Sequence, residues 1–185
     1  SLAPMFYDLE DPQAFMRDVF EVLDGDGIWF FEQSYMPTML EATAYDTICH
    51  EHLEYYGLRQ IVWMADRVGF EVIDVELNDT NGGSFSVTMA KKGSRHRPEP
   101  RVAGFLAREK SLGLDRLEPF VRFADRVRCH RERLVETLRD LKKHGKKVLG
   151  YGASTKGNVI LQYCGLTAED LPCIGEVNRD KFGCF

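Results

Sequence analysis

The sequence has few cysteines and no cysteine pairs. Five are scattered among its 185 residues, and none forms a C-x-x-C motif. An odd number at such spacing argues against both a disulfide framework and a zinc knuckle. We therefore expect reduced thiols and a cytoplasmic protein without a metal site in this chain.

Long apolar runs and a concentrated basic surface are also missing. No apolar stretch approaches the ~20 residues of a membrane span, and the N-terminus lacks the regions of a signal peptide. The net charge is -5, and the lysines and arginines are scattered except in residues 142–147. That run lies between a predicted helix and a predicted strand, where cations favour a helix C-terminus. We expect neither a nucleic-acid nor a membrane partner, and the sequence leaves the oligomeric state open.

The hydrophobic content, 44%, is enough to bury a core in one large domain or two small ones. Residues 91–100 combine charge, turn formers and two prolines, as linkers do. The sequence predicts a first domain over residues 1–92, a linker over 93–112 and a second domain over 113–185.

Hydrophobic periodicity predicts an α/β fold. The first half resembles the back half of an open sheet, and its short apolar run has the composition of a strand buried on both faces of a parallel sheet. The predicted elements are a helix at 11–23, this strand at 28–32, mainly helix at 39–68, strands at 70–77 and 84–90 with a tight Asn-Gly-Gly turn, a helix at 114–144, a strand at 146–152, and a helix opening at 153–158.

The glycine loop between the last two elements is a candidate anion site. Backbone N–H groups and the helix dipole converge where a strand, a glycine turn and a helix N-terminus meet. Gly150, Gly152 and Gly157 follow the spacing G-x-G-x-x-x-x-G, which matches neither the dinucleotide fingerprint nor the Walker pattern. Phosphate or sugar binding and a purely structural turn both remain open.

Residues 45–56 carry the densest set of titratable groups. Two imidazoles, three carboxylates and three phenols fall within twelve residues. An adjacent carboxylate can raise the basicity of a histidine or fix its tautomer, as a general base requires. The pattern indicates proton-transfer chemistry, with a solvated helix face as the alternative.

Four motifs occur in order along the chain: Y-D-T-I-C-H-E-H-L-E-Y-Y from Tyr45, N-x-x-N-G-G-S from Asn78, G-Y-G-A-S-T-K-G-N from Gly150 and E-x-N-x-x-K-x-G from Glu176. In this combination the chain resembles the nucleotide-sugar C-methyltransferases over essentially its whole length. Four ordered motifs are far more specific than any one of them.

The resemblance implies a fold and a set of cofactors. Members have a zinc domain, a class I S-adenosylmethionine domain and a C-terminal Rossmann-like domain that helps bind the nucleotide sugar. This chain resembles the back half of the class I methyltransferase sheet followed by the Rossmann-like domain. It lacks the zinc domain and the cofactor's glycine loop, so we expect a fragment that is inactive alone, with zinc only in the missing domain.

The resemblance also implies a reaction on a 4-keto nucleotide sugar. Methylating carbon requires a base that removes the proton beside the carbonyl and a group that stabilises the enolate, which then takes the methyl group of S-adenosylmethionine. By resemblance His52 is the base, Glu51 is its acidic partner, and His50 is a further catalytic candidate. On a helix adjacent residues point about 100° apart, so His50 and His52 share a substrate only if the backbone is irregular.

Binding residues follow from the same resemblance. Met5 and Phe6 are candidate cofactor contacts, with core packing as the alternative. The candidate substrate contacts are Tyr56, Asn81, Ser154, Lys156, Asn158, Glu176 and Asn178. Some relatives have a tyrosine in place of Cys49 and a histidine near Asp8, so the methylated position and the substrate class stay open.

Two other functions compete with this one. A non-catalytic nucleotide-sugar or phosphate-binding module would bind ligand without methyl transfer, with the His-Glu-His segment as a solvated surface. A nicotinamide-dependent oxidoreductase is suggested only by the glycine loop, and the missing G-x-G-x-x-G fingerprint places it last. The sequence leaves the sugar, ring carbon, nucleotide and pathway open.

Overall fold

The computed structural model describes residues 6–79 and 83–182, and the fold is mixed α/β as predicted. The chain divides into unit 1, Ser1–Ala42 with Glu51–Phe120, and unit 2, Thr43–His50 with Val121–Phe185. The helices are α1 (Pro12–Val22), α2 (Met36–Ala42), α3 (Leu58–Val68), α4 (Pro100–Ser111), α5 (Glu118–Lys143) and α6 (Thr155–Cys164), and the strands are β1 (Ile28–Ser34), β2 (Phe70–Asn78), β3 (Ser84–Lys91), β4 (Gly150–Tyr151) and β5 (Ile174–Gly175).

The sheet of unit 1 has the strand order β1-β3-β2, and both pairings are antiparallel. The outer strands β1 and β2 therefore run parallel to each other. The predicted hairpin of β2 and β3 is confirmed, while its turn residues 80–82, including Asn81, lie outside the described residues. Gly83, at the end of the turn, has φ of 123°, a conformation that glycine adopts without strain.

Strand β1 corrects one prediction. It was expected to lie in a parallel sheet with both faces buried, but it pairs antiparallel with β3. Trp29 and Phe31 are buried, whereas Ile28 and Phe30 are 52% and 44% exposed. An antiparallel sheet can leave one face open to water. Because Ile28 and Phe30 on that open face are also apolar, the sequence shows no alternation of apolar and polar residues at the start of β1.

The core of unit 1 is rich in aromatic rings. Phe6 contacts the ring of Phe31 with a centroid distance of 5.2 Å and that of Trp29 at 6.0 Å. Met16 of α1 and Ile61 of α3 are fully buried in the same cluster. Edge-to-face and tilted ring contacts add to the gain from burial alone. The core therefore joins the packed face of the sheet to α1, α3 and the 3₁₀ helix Phe6–Asp8.

Residues 93–112, predicted to be a linker, are folded into unit 1. They contain α4, which contacts α3 and β2 and buries Val102 and Glu109 at 7% and 3% exposure. The prolines suggested a linker, yet Pro100 is the first residue of the helix, a position where its missing N–H costs nothing. The functional assignment of residues 1–92 and 113–185 to two domains remains a prediction.

Unit 2 contains a parallel β-α-β arrangement. Strands β4 and β5 pair in parallel, and α6 connects them in the sequence. The strand predicted over residues 146–152 is only two residues long, whereas α6 begins at the predicted glycine loop. A parallel pair needs such a crossover connection. In the described part of the chain no helix is both long and apolar enough to cross a membrane.

Candidate active site

The His-Glu-His segment is irregular rather than helical, which corrects the prediction of mainly helix over residues 39–68. Residues 48–57 lie between the 3₁₀ helix Tyr45–Thr47 and α3. The backbone N–H groups of Leu53 and Glu54 both donate to the carbonyl of Tyr7 at 3.1 Å. A helix would direct them to carbonyls four residues earlier in the chain. The helical objection to His50 and His52 sharing a substrate therefore no longer applies.

Of the three predicted catalytic residues, His52 is the one that packs against aromatic rings and is partly buried. Its imidazole centroid lies 4.4 Å from the ring centroid of Tyr7, with an angle of 59° between the rings, and 6.5 Å from that of Tyr55. The side chain is half-buried, whereas Glu51 and His50 are exposed. The ring of Tyr7 thus packs against the imidazole of His52, and His52 is only partly buried.

The carboxyl of Asp8 interacts electrostatically with His52 and Glu51. Partial burial raises the pKa of its carboxyl above the ordinary value; the charge of His52 lowers this pKa and that of Glu51 raises it. The sequence had marked Asp8 only as a departure from relatives. Asp8, Glu51 and His52 are thus close enough in space for their charges to influence one another.

Tyr56 supplies a buried phenol beside this segment. It is 6% exposed, its ring centroid lies 5.6 Å from that of Phe6, and its carbonyl accepts a 2.9 Å hydrogen bond from the N–H of Met36. Burial, with a smaller contribution from Glu54, raises the pKa of Tyr56 to about 12. The hydroxyl therefore keeps its proton at neutral pH and remains a hydrogen-bond donor.

Of the two predicted cofactor contacts, only Phe6 lies within the described residues. Met5 lies outside them, and Phe6 is 3% exposed because aromatic rings enclose it. The role of Phe6 as a cofactor contact stays a prediction. Among residues 6–79 and 83–182, no group of three or more His, Cys, Asp or Glu residues is placed to hold a metal ion.

No motif in the sequence pointed to Glu109, which anchors the start of α3. Its carboxylate accepts hydrogen bonds from the backbone N–H groups of Leu58 (2.6 Å) and Arg59 (2.9 Å). It also accepts one from the hydroxyl of Tyr35 (2.9 Å). Some fifty residues separate Glu109 from α3 in the chain, so no local pattern could reveal the contact.

In unit 2 the predicted substrate contacts meet at the glycine loop. The hydroxyl of Ser154 caps α6 by accepting a hydrogen bond from the N–H of Gly157 at 3.1 Å. The carboxylate of Glu176 accepts from the N–H of Ala153 at 2.8 Å. Two amides that could have met a phosphate are thus bonded to side chains of this chain. Anion binding by the loop backbone stays a prediction.

Glu176 and Asn178 follow β5 and are held in place locally. Glu176 accepts hydrogen bonds from the backbone N–H groups of Asn178 and Val177 at 2.9 and 2.7 Å, and these bonds with that from Ala153 lower its pKa. Asn178 accepts from the N–H of Asp180 at 3.1 Å. An ionised carboxylate therefore lies at the carboxyl end of the parallel strands, where open α/β sheets bind ligands.

Lys156 and Asn158 lie in the first turn of the same helix. The N–H of Asn158 donates to the carbonyl of Ser154 at 3.0 Å as the helix begins. Both residues therefore lie within four positions of Ser154, the N-cap residue of α6. The structure thus brings together three of the predicted contacts, Ser154, Lys156 and Asn158, along one loop and helix start, and a fourth, Glu176, is bonded to the same loop.

Comparison with known proteins gives the family. Residues 79–185, more than half of the chain, match the family described as C-methyltransferase C-terminal domain. The chain belongs to this family. It is also 36% identical over 165 residues to the C-methyltransferase NovU of Streptomyces niveus, a match that covers 85% of this chain and 39% of NovU. The resemblance deduced from the motifs is confirmed, and the chain spans about two fifths of that relative's length.

The raised pKa of Asp8 predicts a pH-dependent difference in stability. A carboxyl whose pKa is higher in the folded state binds its proton more tightly there, so it favours folding below its unfolded pKa of about 3.9. This contribution is lost as pH rises through the folded pKa. We therefore expect Asp8→Asn to gain thermal stability over wild type as pH rises from acid to neutral.

Thermal unfolding of both proteins across this pH range measures the effect. Asp18→Asn, at an exposed aspartate of α1, is the matched control and should show a smaller change with pH. A constant difference between Asp8→Asn and wild type at every pH would contradict the assignment.

Proposed function

We propose that the protein transfers a methyl group from S-adenosylmethionine to the carbon beside the keto group of a 4-keto nucleotide sugar. The cofactor supplies an electrophilic methyl group. The residues of this chain bind the sugar nucleotide and remove the proton from the carbon that is methylated. Membership of a C-methyltransferase family and the placement of His52 support the proposal.

His52 acts as the general base. A carbon acid beside a carbonyl needs a base that is positioned before the proton moves. The observation that supports this role is the packing of His52 on Tyr7, with 4.4 Å between the two ring centroids. This packing orients the imidazole, while the His52 side chain stays partly exposed. Glu51 serves as the acidic partner of His52, and its charge also acts on Asp8. His50, which is exposed, has an auxiliary role.

Tyr56 donates a hydrogen bond to the oxygen on which negative charge develops. Its pKa of about 12 keeps the hydroxyl protonated, and a fixed donor stabilises an enolate oxygen more than a neutral ketone. Asn81 lies outside the described residues and is proposed as a second substrate contact near the β2-β3 turn.

Unit 2 binds the nucleotide. Glu176 is an ionised acceptor at the end of β5 and suits the hydroxyls of a ribose. Lys156 brings positive charge to the helix start for the diphosphate, and Ser154 and Asn158 offer neutral polar groups on the same loop and helix start. Asn178, after β5, is a further neutral contact.

A matched pair of substrates tests the function. The natural full-length protein containing this chain is incubated with S-adenosylmethionine and either a 4-keto nucleotide sugar or its 4-hydroxy counterpart. Mass spectrometry should show the gain of one methyl group on carbon for the keto sugar alone, since only it has an acidic proton beside a carbonyl. Methylation of the hydroxy sugar would contradict the proposal. Binding of both without transfer would favour the non-catalytic binding module.

A further inference from the structure

Glu109 joins three segments of unit 1 that are distant in the sequence. Its own helix, α4, carries the carboxylate, which receives donors from the start of α3 and from Tyr35, just after β1. A buried carboxylate is costly unless its oxygens accept hydrogen bonds. The three bonds offset that cost, and Glu109 is 3% exposed.

Tyr35 extends this connection to the proposed site. Its backbone N–H donates to the carbonyl of Gly83 at 3.2 Å, next to the turn that contains Asn81. The next residue, Met36, donates to the carbonyl of Tyr56 at 2.9 Å. Tyr35 is fully buried, and burial together with the Glu109 carboxylate raises its pKa above the ordinary value. The phenol therefore remains a hydrogen-bond donor to Glu109.

The start of α3 depends on a cap from elsewhere in the chain. Its N-cap residue is Gly57, which has no side chain with which to cap the helix. Glu109 takes that role and places negative charge at the helix N-terminus, where it is favourable. A Cβ at Gly57 would lie 2.9 Å from Oε1 of Glu109, so glycine leaves the room that the carboxylate needs.

We propose that Glu109 is a positioning residue for the active site. It acts through Leu58 and Arg59, which fix the end of the segment that carries His52 and Tyr56. Through Tyr35 it also fixes the start of α2 and the end of the β2-β3 turn. Its effect on catalysis rests on the proposed function, whereas its effect on the order of residues 48–57 does not.

Hydrogen exchange tests the positioning without any substrate. Exchange mass spectrometry of the full-length protein is compared for wild type, Glu109→Gln, Glu109→Ala and Tyr35→Phe. The peptide covering residues 48–60 should exchange at least tenfold faster in Glu109→Ala, with a smaller increase in Glu109→Gln, which keeps one acceptor oxygen. Peptides of unit 2 from residues 150–182 should be unchanged. Equal exchange of residues 48–60 in wild type and folded Glu109→Ala would overturn the proposal.

Kinetics then separate positioning from bulk stability. At a temperature where circular dichroism shows every variant folded, Glu109→Ala should lower kcat/KM for the keto sugar at least tenfold, with partial recovery in Glu109→Gln. Glu99→Ala, which removes the same charge from an exposed position just before α4, should match wild type. Wild-type kcat/KM in folded Glu109→Ala would overturn the catalytic role.

Two further outcomes keep the test decisive. If Glu109→Ala does not fold, Glu109→Gln and Tyr35→Phe decide, and wild-type exchange and kinetics in both would overturn the proposal. If wild type methylates no keto sugar but residues 48–60 still loosen in the variants, the proposed function fails while the positioning of the segment stands.

Discussion

Replacing His52 with asparagine is expected to lower kcat for methyl transfer by about 10²–10⁴-fold, the usual contribution of a general base. Asparagine retains a polar side chain of similar reach but cannot accept the substrate proton. The ring of Tyr7 packs against the imidazole of His52 in this chain. Steady-state kinetics with the full-length protein, together with calorimetric titration of S-adenosylmethionine, should show a loss in kcat at unchanged cofactor affinity.

His50→Asn is the matched control for this prediction. It removes an imidazole two residues away, from an exposed side chain, and should lower kcat much less. Equal losses in the two variants would assign the chemistry to the segment as a whole rather than to His52. Full activity in His52→Asn would exclude His52 as the base.

Replacing Tyr56 with phenylalanine is expected to lower kcat/KM by about 10²–10³-fold, the cost of removing one fixed donor to a developing oxyanion. Phenylalanine keeps the ring that packs against Phe6, so folding should be preserved. With a pKa of about 12, the Tyr56 hydroxyl should also cause no fall in kcat/KM between pH 7 and about pH 11. A pH–rate profile of wild type and the variant measures both effects.

Tyr55→Phe provides the comparison, because Tyr55 is the neighbouring tyrosine and is only half-buried. Its kcat/KM should fall far less than that of Tyr56→Phe. A Tyr56→Phe enzyme with wild-type kcat/KM would mean that another group stabilises the enolate.

The elements predicted best are those with local signals. The helix predicted at 11–23 is α1, where Asp11 accepts a hydrogen bond from the N–H of Ala14 and Pro12 is the first helical residue. The hairpin of β2 and β3 follows from alternating β-branched and apolar residues on either side of a glycine-rich turn. In these cases the residues that decide the structure lie within a few positions of one another.

The errors arose where distant contacts decide the structure. The irregular backbone around His52 depends on the carbonyl of Tyr7, and the start of α3 depends on Glu109. Neither acceptor is near its donors in the sequence. For β1, apolar residues on the exposed face made an antiparallel strand resemble a buried parallel one.

The site shows the same division. The motif predicted His52 as a catalytic residue and Tyr56 as a substrate contact, because their residue types match the chemistry and the family pattern, and both roles stay predictions. It could not predict the packing of His52 on Tyr7, the raised pKa of Asp8 or the caps formed by Ser154 and Glu176 around the glycine loop. These features depend on which side chains meet in three dimensions.

Proton exchange without methyl transfer tests the central claim most directly. The full-length protein is incubated with a 4-keto nucleotide sugar in deuterated water without S-adenosylmethionine, and mass spectrometry follows deuterium at the carbon beside the ketone. Wild type should introduce deuterium well above the uncatalysed rate, and His52→Asn should not. No exchange by wild type, or equal exchange by His52→Asn, would contradict enolate formation by His52.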